Sequence, residues 1–359
     1  MILKDIIKKF DKSNIKAGDG LDRGVYPLYT CSPIVNRYLN NYLCDDEAIV
    51  LSTGGNFSIH YVNGKFNYST DCFVFNTDKY NLKYLYYYLL SKRDDINKMF
   101  RGAGLKHLNK NEFVLLNVKE IDLKEQTHIV NKLDKINEMI ELRKNEIEKC
   151  NNLIKSQFVE MFGCKQDGFK CEMVQFSQCV SSMLKGPFGS DIKKSLYVPK
   201  SENTYKVYIQ INAIQKNEKL GNYYISKEYF DNKMHKFEVK PLDYIVTCDG
   251  TLGKLLQLDN KMEKGIISAS LLKITLNDKI CYKYFEEVWN QFMLGELSKD
   301  IRNACLTHLP SAKVIGAVLI PLPSKELQNK FAQIVEQIDK QKFVNENLCQ
   351  IIGKMSILC

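Results

Sequence analysis

The chain has 359 residues, of which 45% are hydrophobic and 11% aromatic, and it carries a formal net charge of +9. Its length exceeds the roughly 100 to 200 residues of a single domain and predicts two, and its composition is that of a folded soluble protein. The basic balance favours nucleic acid as a partner, although a genome rich in codons for lysine, asparagine and tyrosine gives the same charge.

Cysteine usage and the N-terminal sequence predict the compartment. The 12 cysteines are scattered and include no Cys-x-x-Cys pair, which indicates free thiols rather than a disulfide framework. The opening MILKDIIKKFDK alternates apolar with charged residues and lacks the apolar core of a secretory signal. No apolar run approaches the ~18 residues of a membrane span. We therefore expect a cytoplasmic protein with reduced thiols.

Residues 1–120 are predicted to form a first α+β domain. Short β-rich runs bounded by Gly, Asn and Asp come first, and they include EAIVLSTGGNF at 47–57. An amphipathic helix around YLYYYLL at 84–90 follows, and the domain closes with AGLKHL at 103–108.

Residues 121–162 are predicted to form a long central helix. Its apolar side chains recur at alternating steps of four and three residues, which is the heptad seam of a coiled coil. The seam consists of Ile129, Leu133, Ile136, Ile140, Arg143, Ile147, Cys150 and Ile154.

Residues 163–320 repeat the first domain. DYIVTCDGTLG at 243–253 aligns with EAIVLSTGGNF, YFEEVWN at 284–290 aligns with YLYYYLL, and ACLTHL at 304–309 aligns with AGLKHL. The offset between matching blocks drifts only from 196 to 201 residues, and chance matches would not stay in order. The sequence therefore predicts two tandem copies of one α+β domain.

Residues 321–359 are predicted to form a second long helix. It repeats the seam at an offset of 205 residues, through Ile334, Ile338, Gln341, Asn345, Leu348, Ile352, Met355 and Cys359. If the two helices pack antiparallel with their ends matched, Ile129 faces Cys359, Ile154 faces Ile334, and Arg143 faces Asn345. A polar pair within a heptad seam sets the register of the helices. The alternative is that one or both helices pack on partner subunits.

No catalytic motif is present in the sequence. An adenine methyltransferase needs Asn or Asp followed by Pro-Pro-aromatic and a glycine-rich loop, and neither occurs, nor does a Walker or Gly-x-Ser-x-Gly motif. The five histidines form no helical i, i+4 pair, so we expect no metal site. His107 and His308 occupy equivalent repeat positions, where a capping or packing role is expected, and Asp249 lacks the partner groups of a nuclease.

Five segments follow one another in a distinctive order: LKHLNKNEF (105–113), LKEQTHIVNKLDKINEMIELRKNEIEKCNNLIKSQFVEMFG (123–163), KGPFGSDIKK (185–194), DYIVTCDGTLGK (243–254) and LTHLPSAKVIGAVLIPLPSKELQNKFAQIVEQIDK (306–340). Through these segments, and over essentially its whole length, the sequence resembles the specificity (S) subunit of type I restriction-modification systems. The resemblance implies two target recognition domains, each like the DNA-reading domain of an adenine methyltransferase. Each domain would be followed by one helix of an antiparallel coiled coil.

The same resemblance implies a non-catalytic subunit. Each domain would read one half of a bipartite DNA site through the major groove, and the helices would set the spacer and dock two methyltransferase (M) subunits for adenine methylation. A helix over residues 129–158 would be about 45 Å long. Restriction (R) subunits can join such a complex for cleavage. S-adenosylmethionine and ATP belong to these partners, so no cofactor is expected on this chain.

We predict the DNA contacts from residue chemistry, because amide, hydroxyl and cationic side chains bind base edges and phosphates. The candidates are Lys185, Ser190, Lys193, Lys194, Gln210, Asn212, Thr251 and Lys254 in the second domain, and Arg23, Tyr29, Thr53, Asn56 and Lys106 in the first. The alternative for KGPFGS is a structural turn in which Gly186 and Gly189 supply conformation and Phe188 packs. The first domain has no counterpart of this motif.

Two other functions remain open from the sequence. The first is a coiled-coil adaptor, whose DNA binding would be weak and insensitive to the loss of lysines, whereas a DNA reader loses affinity as salt screens its phosphate contacts. The second is an inactive recognition region derived from a fused restriction enzyme-methyltransferase, although such an enzyme would need catalytic motifs in the same chain.

Overall fold

A computed structural model describes residues 1–214, 222–250, 252–297 and 308–358, apart from the side chains of Asn212 and residues 354–358. Thr251, residues 304–307 of the repeat, Cys359 and the side chain of Asn212 are therefore outside the described residues. The chain divides into two compact units, Met1–Asn145 with Asn345–Cys359, and Glu146–Val344. Each long helix contributes residues to both units.

The first unit is built on a six-stranded sheet in the order β1-β6-β4-β5-β2-β3. All neighbours pair antiparallel except β2 and β5, which pair parallel. Its strands are β1 (Lys8–Lys9), β2 (Tyr26–Tyr29), β3 (Tyr38–Leu39), β4 (Cys44–Ser52), β5 (Ile59–Tyr68), β6 (Cys72–Asn76), β7 (Phe100–Arg101) and β8 (His107–Leu108). Its helices are α1 (Leu82–Ser91), α2 (Arg93–Lys98), α3 (Lys110–Phe113) and the first part of α4 (Leu123–Phe162).

The central strand β4 is buried on both faces. Ile49 and Leu51 pack in one core with Leu85 of α1, while Ala48 and Val50 belong to a second core on the opposite face. Successive side chains of a strand point to opposite faces, so an uninterrupted apolar run supplies both cores at once.

The second unit contains two four-stranded sheets, in the orders β12-β19-β16-β17 and β14-β13-β18-β15. Its strands are β9 (Gly163–Cys164), β10 (Gly168–Phe169), β11 (Glu172–Gln175), β12 (Val180–Lys185), β13 (Thr204–Tyr208), β14 (Tyr223–Ser226), β15 (Glu238–Val239), β16 (Tyr244–Thr247), β17 (Leu255–Gln257), β18 (Gly265–Ile267), β19 (Leu271–Leu276) and β20 (Leu319–Leu322). Its helices are α5 (Gln210–Ala213), α6 (Lys227–Tyr229), α7 (Tyr282–Val288), α8 (Ala312–Ala317) and most of α9 (Lys325–Leu358).

The strand orders confirm the predicted duplication. The order β1-β6-β4-β5 of the first unit recurs as β12-β19-β16-β17 in the second, and the parallel pair β2 and β5 recurs as β13 and β18. The long strand β5 is replaced in the second unit by two strands, β17 and β18. The predicted α+β fold with two pseudo-repeated domains is therefore the observed one.

The structural alignment of the equivalent central strands β4 and β16 differs by one residue from their sequence alignment. The sequence alignment pairs Ile49 with Ile245, at an offset of 196. Ile49 packs with helix α1, but it is Tyr244, not Ile245, that packs with the equivalent helix α7, and Ile245 belongs to the core on the other face. A shift of one residue exchanges the two faces of a strand, so the structural offset here is 195.

The long helices pair antiparallel in the predicted register. In the first unit, Arg143 Nη1 donates a hydrogen bond to Asn345 Oδ1 at 3.3 Å, as predicted, and Cys349 Sγ lies 3.9 Å from Ile140 O. In the second unit, the rings of Phe158 and Phe331 pack edge to face, with centroids 5.7 Å apart.

The seam residues differ in how deeply they are buried. Leu133, Ile338, Asn345 and Ile352 are buried, and Ile129, Ile136, Ile140, Arg143, Ile147, Ile334 and Leu348 are half-buried. The assignment of Gln341 to the seam is wrong, because its side chain is exposed. A polar side chain costs free energy when it is buried without a partner, and Gln341 avoids this cost at the surface.

We expect the Arg143–Asn345 pair to show strong energetic coupling. Asn345 is 1% exposed, so Arg143→Leu leaves a buried amide without this donor, and each single leucine substitution should lower the free energy of unfolding by about 1–2 kcal/mol. The double variant Arg143→Leu/Asn345→Leu should recover most of that loss, because both polar groups leave the seam together. Urea unfolding of the four proteins measures the coupling, and strictly additive losses would contradict it.

Candidate nucleic-acid interface

The turn after β16 is closed by backbone hydrogen bonds from two distant segments. Cys248 N donates to Ser270 O at 2.8 Å, and Leu309 N donates to Cys248 O at 2.8 Å. Gly250 has a φ of +64°, a conformation that favours glycine. Burial raises the pKa of the Cys248 thiol to about 11, so at neutral pH this cysteine is a protonated packing residue.

The first unit builds the equivalent turn in the same way. Thr53 N donates to Asp71 O at 2.8 Å, and Leu108 N donates to Thr53 O at 2.9 Å. Gly55, with a φ of +75°, takes the place of Gly250. The two turns are therefore structural equivalents, and the repeated His-Leu dipeptide of each copy, His107–Leu108 or His308–Leu309, pairs with its own turn.

A histidine-carboxylate pair, which the sequence did not predict, lies on the turn of the second unit. His308 Nδ1 is 2.5 Å from Asp249 Oδ1. Gln210 Nε2 donates to the backbone carbonyl of Asp249 at 2.9 Å. The histidine and the aspartate are 59 residues apart in the chain, and the signal in the sequence that pointed to the histidine was its repetition in both copies.

Two of the predicted lysines lie beside this turn. Lys254 is exposed, and its backbone N–H donates to the Thr247 hydroxyl at 3.0 Å. Lys185, exposed at the end of β12, is close enough to Cys248 to counter part of the rise in the pKa of its thiol. The predicted candidates Lys185, Gln210 and Lys254 therefore meet at one turn, although they come from three segments of the chain.

The KGPFGS loop differs from the structural turn that was its alternative interpretation. A Cβ on Gly186 would lie 1.9 Å from Ser268 O, so this glycine is required by a close backbone approach and not by an unusual φ. Gly189 has neither a positive φ nor an atom within 4 Å of such a Cβ. The packing role considered for Phe188 is wrong, because its side chain is 82% exposed.

Three further candidates follow Phe188 along the chain. Ser190 lies in a single 3-10 turn (Gly189–Asp191), and Lys194 begins another (Lys194–Leu196), directly after Lys193. All three side chains are exposed. The loop therefore presents two lysines, a hydroxyl and an aromatic ring to solvent.

The candidates of the first unit divide into exposed and packed residues. Arg23, Asn56 and Lys106 are exposed, and the latter two line a cavity of about 320 Å³ together with Arg93 and Asn97. Tyr29 and Thr53 are packed instead. The ring centroids of Tyr29 and His60 are 5.1 Å apart, and burial raises the pKa of the Tyr29 hydroxyl. The Thr53 hydroxyl donates a hydrogen bond to Asp71 O at 2.8 Å.

The described residues offer neither a metal site nor a membrane-spanning helix. Within the described ranges, no cluster of three or more His, Cys, Asp or Glu side chains is arranged to hold a metal ion. In the same part of the chain, no helix combines the length and the apolar character needed to cross a membrane.

The N-terminal part of the chain is similar in sequence to known proteins. Residues 1–152 match the family described as the type I restriction modification DNA specificity domain. The type I restriction enzyme EcoDI specificity subunit of Escherichia coli is 27% identical over 147 residues, which are 41% of this chain and 33% of that protein. The aligned part of the chain thus spans about a third of the length of this relative.

Solved structures resemble the chain over its whole length. The S subunit of the type I restriction-modification system of M. genitalium superposes with a TM-score of 0.59 at 14% identity, covering 99% of this chain and 93% of that one. A structure concerning complex assembly and conformational transition of the type I R-M system gives a TM-score of 0.56 at 14% identity, with 100% and 95% covered. At this identity the likeness shows the fold. Residues 1–152 therefore match the type I restriction modification DNA specificity domain, and the chain has the fold of the solved S subunit on which it superposes.

Proposed function

We propose that this chain is the DNA specificity subunit of a type I restriction-modification complex in the cytoplasm. Each recognition domain reads one half of a bipartite site through the major groove. The paired helices set the spacer and dock two methyltransferase subunits, which carry S-adenosylmethionine and methylate adenine. Restriction subunits, where the system has them, join the same complex with ATP.

The observation that carries this proposal is that the fold of the first unit, whose sequence matches a DNA specificity domain, recurs in the second unit. Each unit has the same turn, bridged by its own histidine, His107 or His308, and we infer that the two turns belong to two equivalent recognition surfaces on one chain. Two recognition surfaces are what a split site requires. Differences between the copies, such as the KGPFGS loop, allow the two half-sites to differ in sequence.

The long helices supply the support for methyltransferase docking. Large apolar side chains remain exposed on them, among them Leu142 at 63% and Phe343 at 64%. Exposed apolar side chains on an otherwise polar helix face mark a surface that a partner protein covers. The charged side chains around them are also exposed and can form the polar rim of such an interface, namely Glu138, Lys144, Glu148, Lys155 and Glu336.

Removal of the loop lysines should lower the salt dependence of DNA binding. Each phosphate contact that is lost reduces the slope of log K against log salt by about 1, so alanine at Lys185, Lys193 and Lys194 together should reduce it by up to about 3. Titration of the full chain with duplex DNA between 50 and 200 mM salt, roughly the range over which such contacts weaken, measures the slope. Lys340→Ala, at an exposed position on α9, is the matched control and should leave the slope unchanged. An unchanged slope in the triple variant would favour the adaptor.

The proposal as a whole is tested by methylation sequencing. A host genome carrying the neighbouring methyltransferase gene is sequenced by single-molecule methods with and without this chain. A split adenine-methylated motif that depends on the chain is the expected result, and it reveals both half-sites. An unchanged methylome, with both proteins made and folded, would leave a coiled-coil adaptor or an inactive recognition region as the better account.

A further inference from the structure

The two equivalent turns differ at one position. Antiparallel bridges join Gly54 to His107 in the first unit and Asp249 to His308 in the second. Both units therefore bring a histidine to the same backbone position of the turn, but only the second places a carboxylate beside it.

The carboxylate of Asp249 is held in a defined orientation. An ionised carboxylate only accepts hydrogen bonds, so Nδ1 of His308 is the donor in the 2.5 Å contact. Gln210 Nε2 fixes the backbone of the same residue through its carbonyl oxygen. The other carboxylate oxygen has no hydrogen-bond partner among the described residues. It is therefore available to a ligand.

The pair is not required by the fold. The first unit forms the same backbone bridge with glycine in place of the aspartate. In the second unit the side chains of His308 and Asp249 are 62% and 43% exposed, so their hydrogen bond contributes little to stability. An oriented, exposed carboxylate that the fold does not need is available for recognition.

Chemistry restricts what such a carboxylate accepts from DNA. In the major groove, the cytosine N4 and adenine N6 amino groups are donors, whereas N7, O6 and O4 are acceptors and repel a carboxylate. The adenine amino group lies beside the N7 acceptor, so cytosine is the better match. Lys185 and Lys254 beside the turn offset the repulsion between the carboxylate and the phosphates.

We propose that Asp249 is a specificity-determining residue of the second recognition domain and accepts a hydrogen bond from a cytosine amino group in its half-site. His308 is a positioning residue that orients the carboxylate. This inference rests on the proposed function, because it assumes that the turn faces the major groove.

The test is a binding selection from a random duplex library with the full chain and its methyltransferase subunit. The unsubstituted chain should recover a split motif with cytosine at one position of one half-site. Asp249→Asn should shift that position toward adenine by about tenfold, because an amide pairs with adenine N6 and N7. Asp249→Gly should remove the preference there and leave the other positions intact. His308→Ala should weaken the same preference, while His107→Ala, the matched change in the first unit, should not.

Introducing an aspartate at the equivalent position of the first unit, Gly54, provides an independent test. A Cβ on Gly54 would lie 3.7 Å from Cys31 Sγ and 3.8 Å from the His107 ring, both ordinary contacts, so Gly54→Asp fits without strain. This variant should create a new cytosine preference in the other half-site. The second half-site should not change.

The outcomes separate the two proposals. If the unsubstituted chain recovers no split motif, the proposed function and this inference both fail. If it recovers a motif that Asp249→Asn and Asp249→Gly leave identical at every position, the inference alone is overturned. A uniform change in affinity at all positions, without a change in base preference, also overturns it, because that result reports net charge and not recognition.

Discussion

Alanine at Gly186 will destabilise the second unit by about 3 kcal/mol, the upper end of the usual cost of overpacking, and will displace the KGPFGS loop. The added Cβ would lie 1.9 Å from Ser268 O and 2.6 Å from Ser268 C, which are backbone atoms that cannot rotate away. Gly186 N also donates to Leu271 O at 2.9 Å, so moving the loop breaks a hydrogen bond as well. Thermal unfolding of the full chain measures the loss.

The same motif contains the matched control for this prediction. Gly189→Ala adds the same methyl group three residues later, where no atom lies within 4 Å and φ is not positive. It should change the free energy of unfolding by no more than an ordinary surface substitution does, about ±0.5 kcal/mol. Comparison of the DNA affinities of the two variants then shows whether the position of the loop matters for binding. Equal stability of the two variants would contradict the close approach of Gly186 to Ser268.

Leucine at Gln328 will destabilise the second unit by a similar amount, about 3 kcal/mol, because several buried backbone groups lose their partner at once. The side chain of Gln328 is 1% exposed. Its Oε1 accepts a hydrogen bond from Cys281 N at 2.8 Å, and its Nε2 donates to Lys279 O and Pro323 O at 3.0 and 2.9 Å. The glutamine thus joins the segment before α7 to the segment before α9.

The chain offers both a control for this prediction and an equivalent glutamine in the first unit. Gln337→Leu, at an exposed position on the same helix, should change the stability by less than about 0.5 kcal/mol. Gln126 is the counterpart in the first unit, accepting from Asn81 N at 2.8 Å and donating to Ile121 O at 2.9 Å, and Gln126→Leu should also be destabilising. Guanidinium unfolding of Gln328→Leu, Gln337→Leu and Gln126→Leu measures the three changes in stability. If Gln328→Leu left the free energy of unfolding unchanged, the prediction would be wrong, and water would have replaced the lost hydrogen bonds.

The buried glutamines show what sequence reasoning overlooks. Glutamine is ordinarily a surface residue, and no local pattern marks Gln126 or Gln328 as buried. Their role depends on backbone groups that only folding brings together. The candidate DNA contacts have the same limit. The residue types that bind bases could be chosen from the sequence, but the burial of Thr53 and the exposure of Phe188 depend on the packing around them.

The sequence by itself determined the duplication, the α+β class and the two long helices. These features repeat along the chain, and heptad spacing depends on nearest neighbours within one helix, so they can be recognised without tertiary contacts. The spacing also predicted the pairing of Arg143 with Asn345 for helices that pack antiparallel with matched ends, and the structure shows that they do.

Only the tertiary structure decided the alignment of the two central strands and the pairing of His308 with Asp249. The central strands are apolar on both faces, so no alternation of polar and apolar residues reveals which face a residue occupies, and a shift of one position is invisible in the sequence. The His308–Asp249 pair joins two segments 59 residues apart through a backbone bridge. Such a contact depends on the closure of the sheet and the path of the chain, and no local pattern in the sequence encodes it.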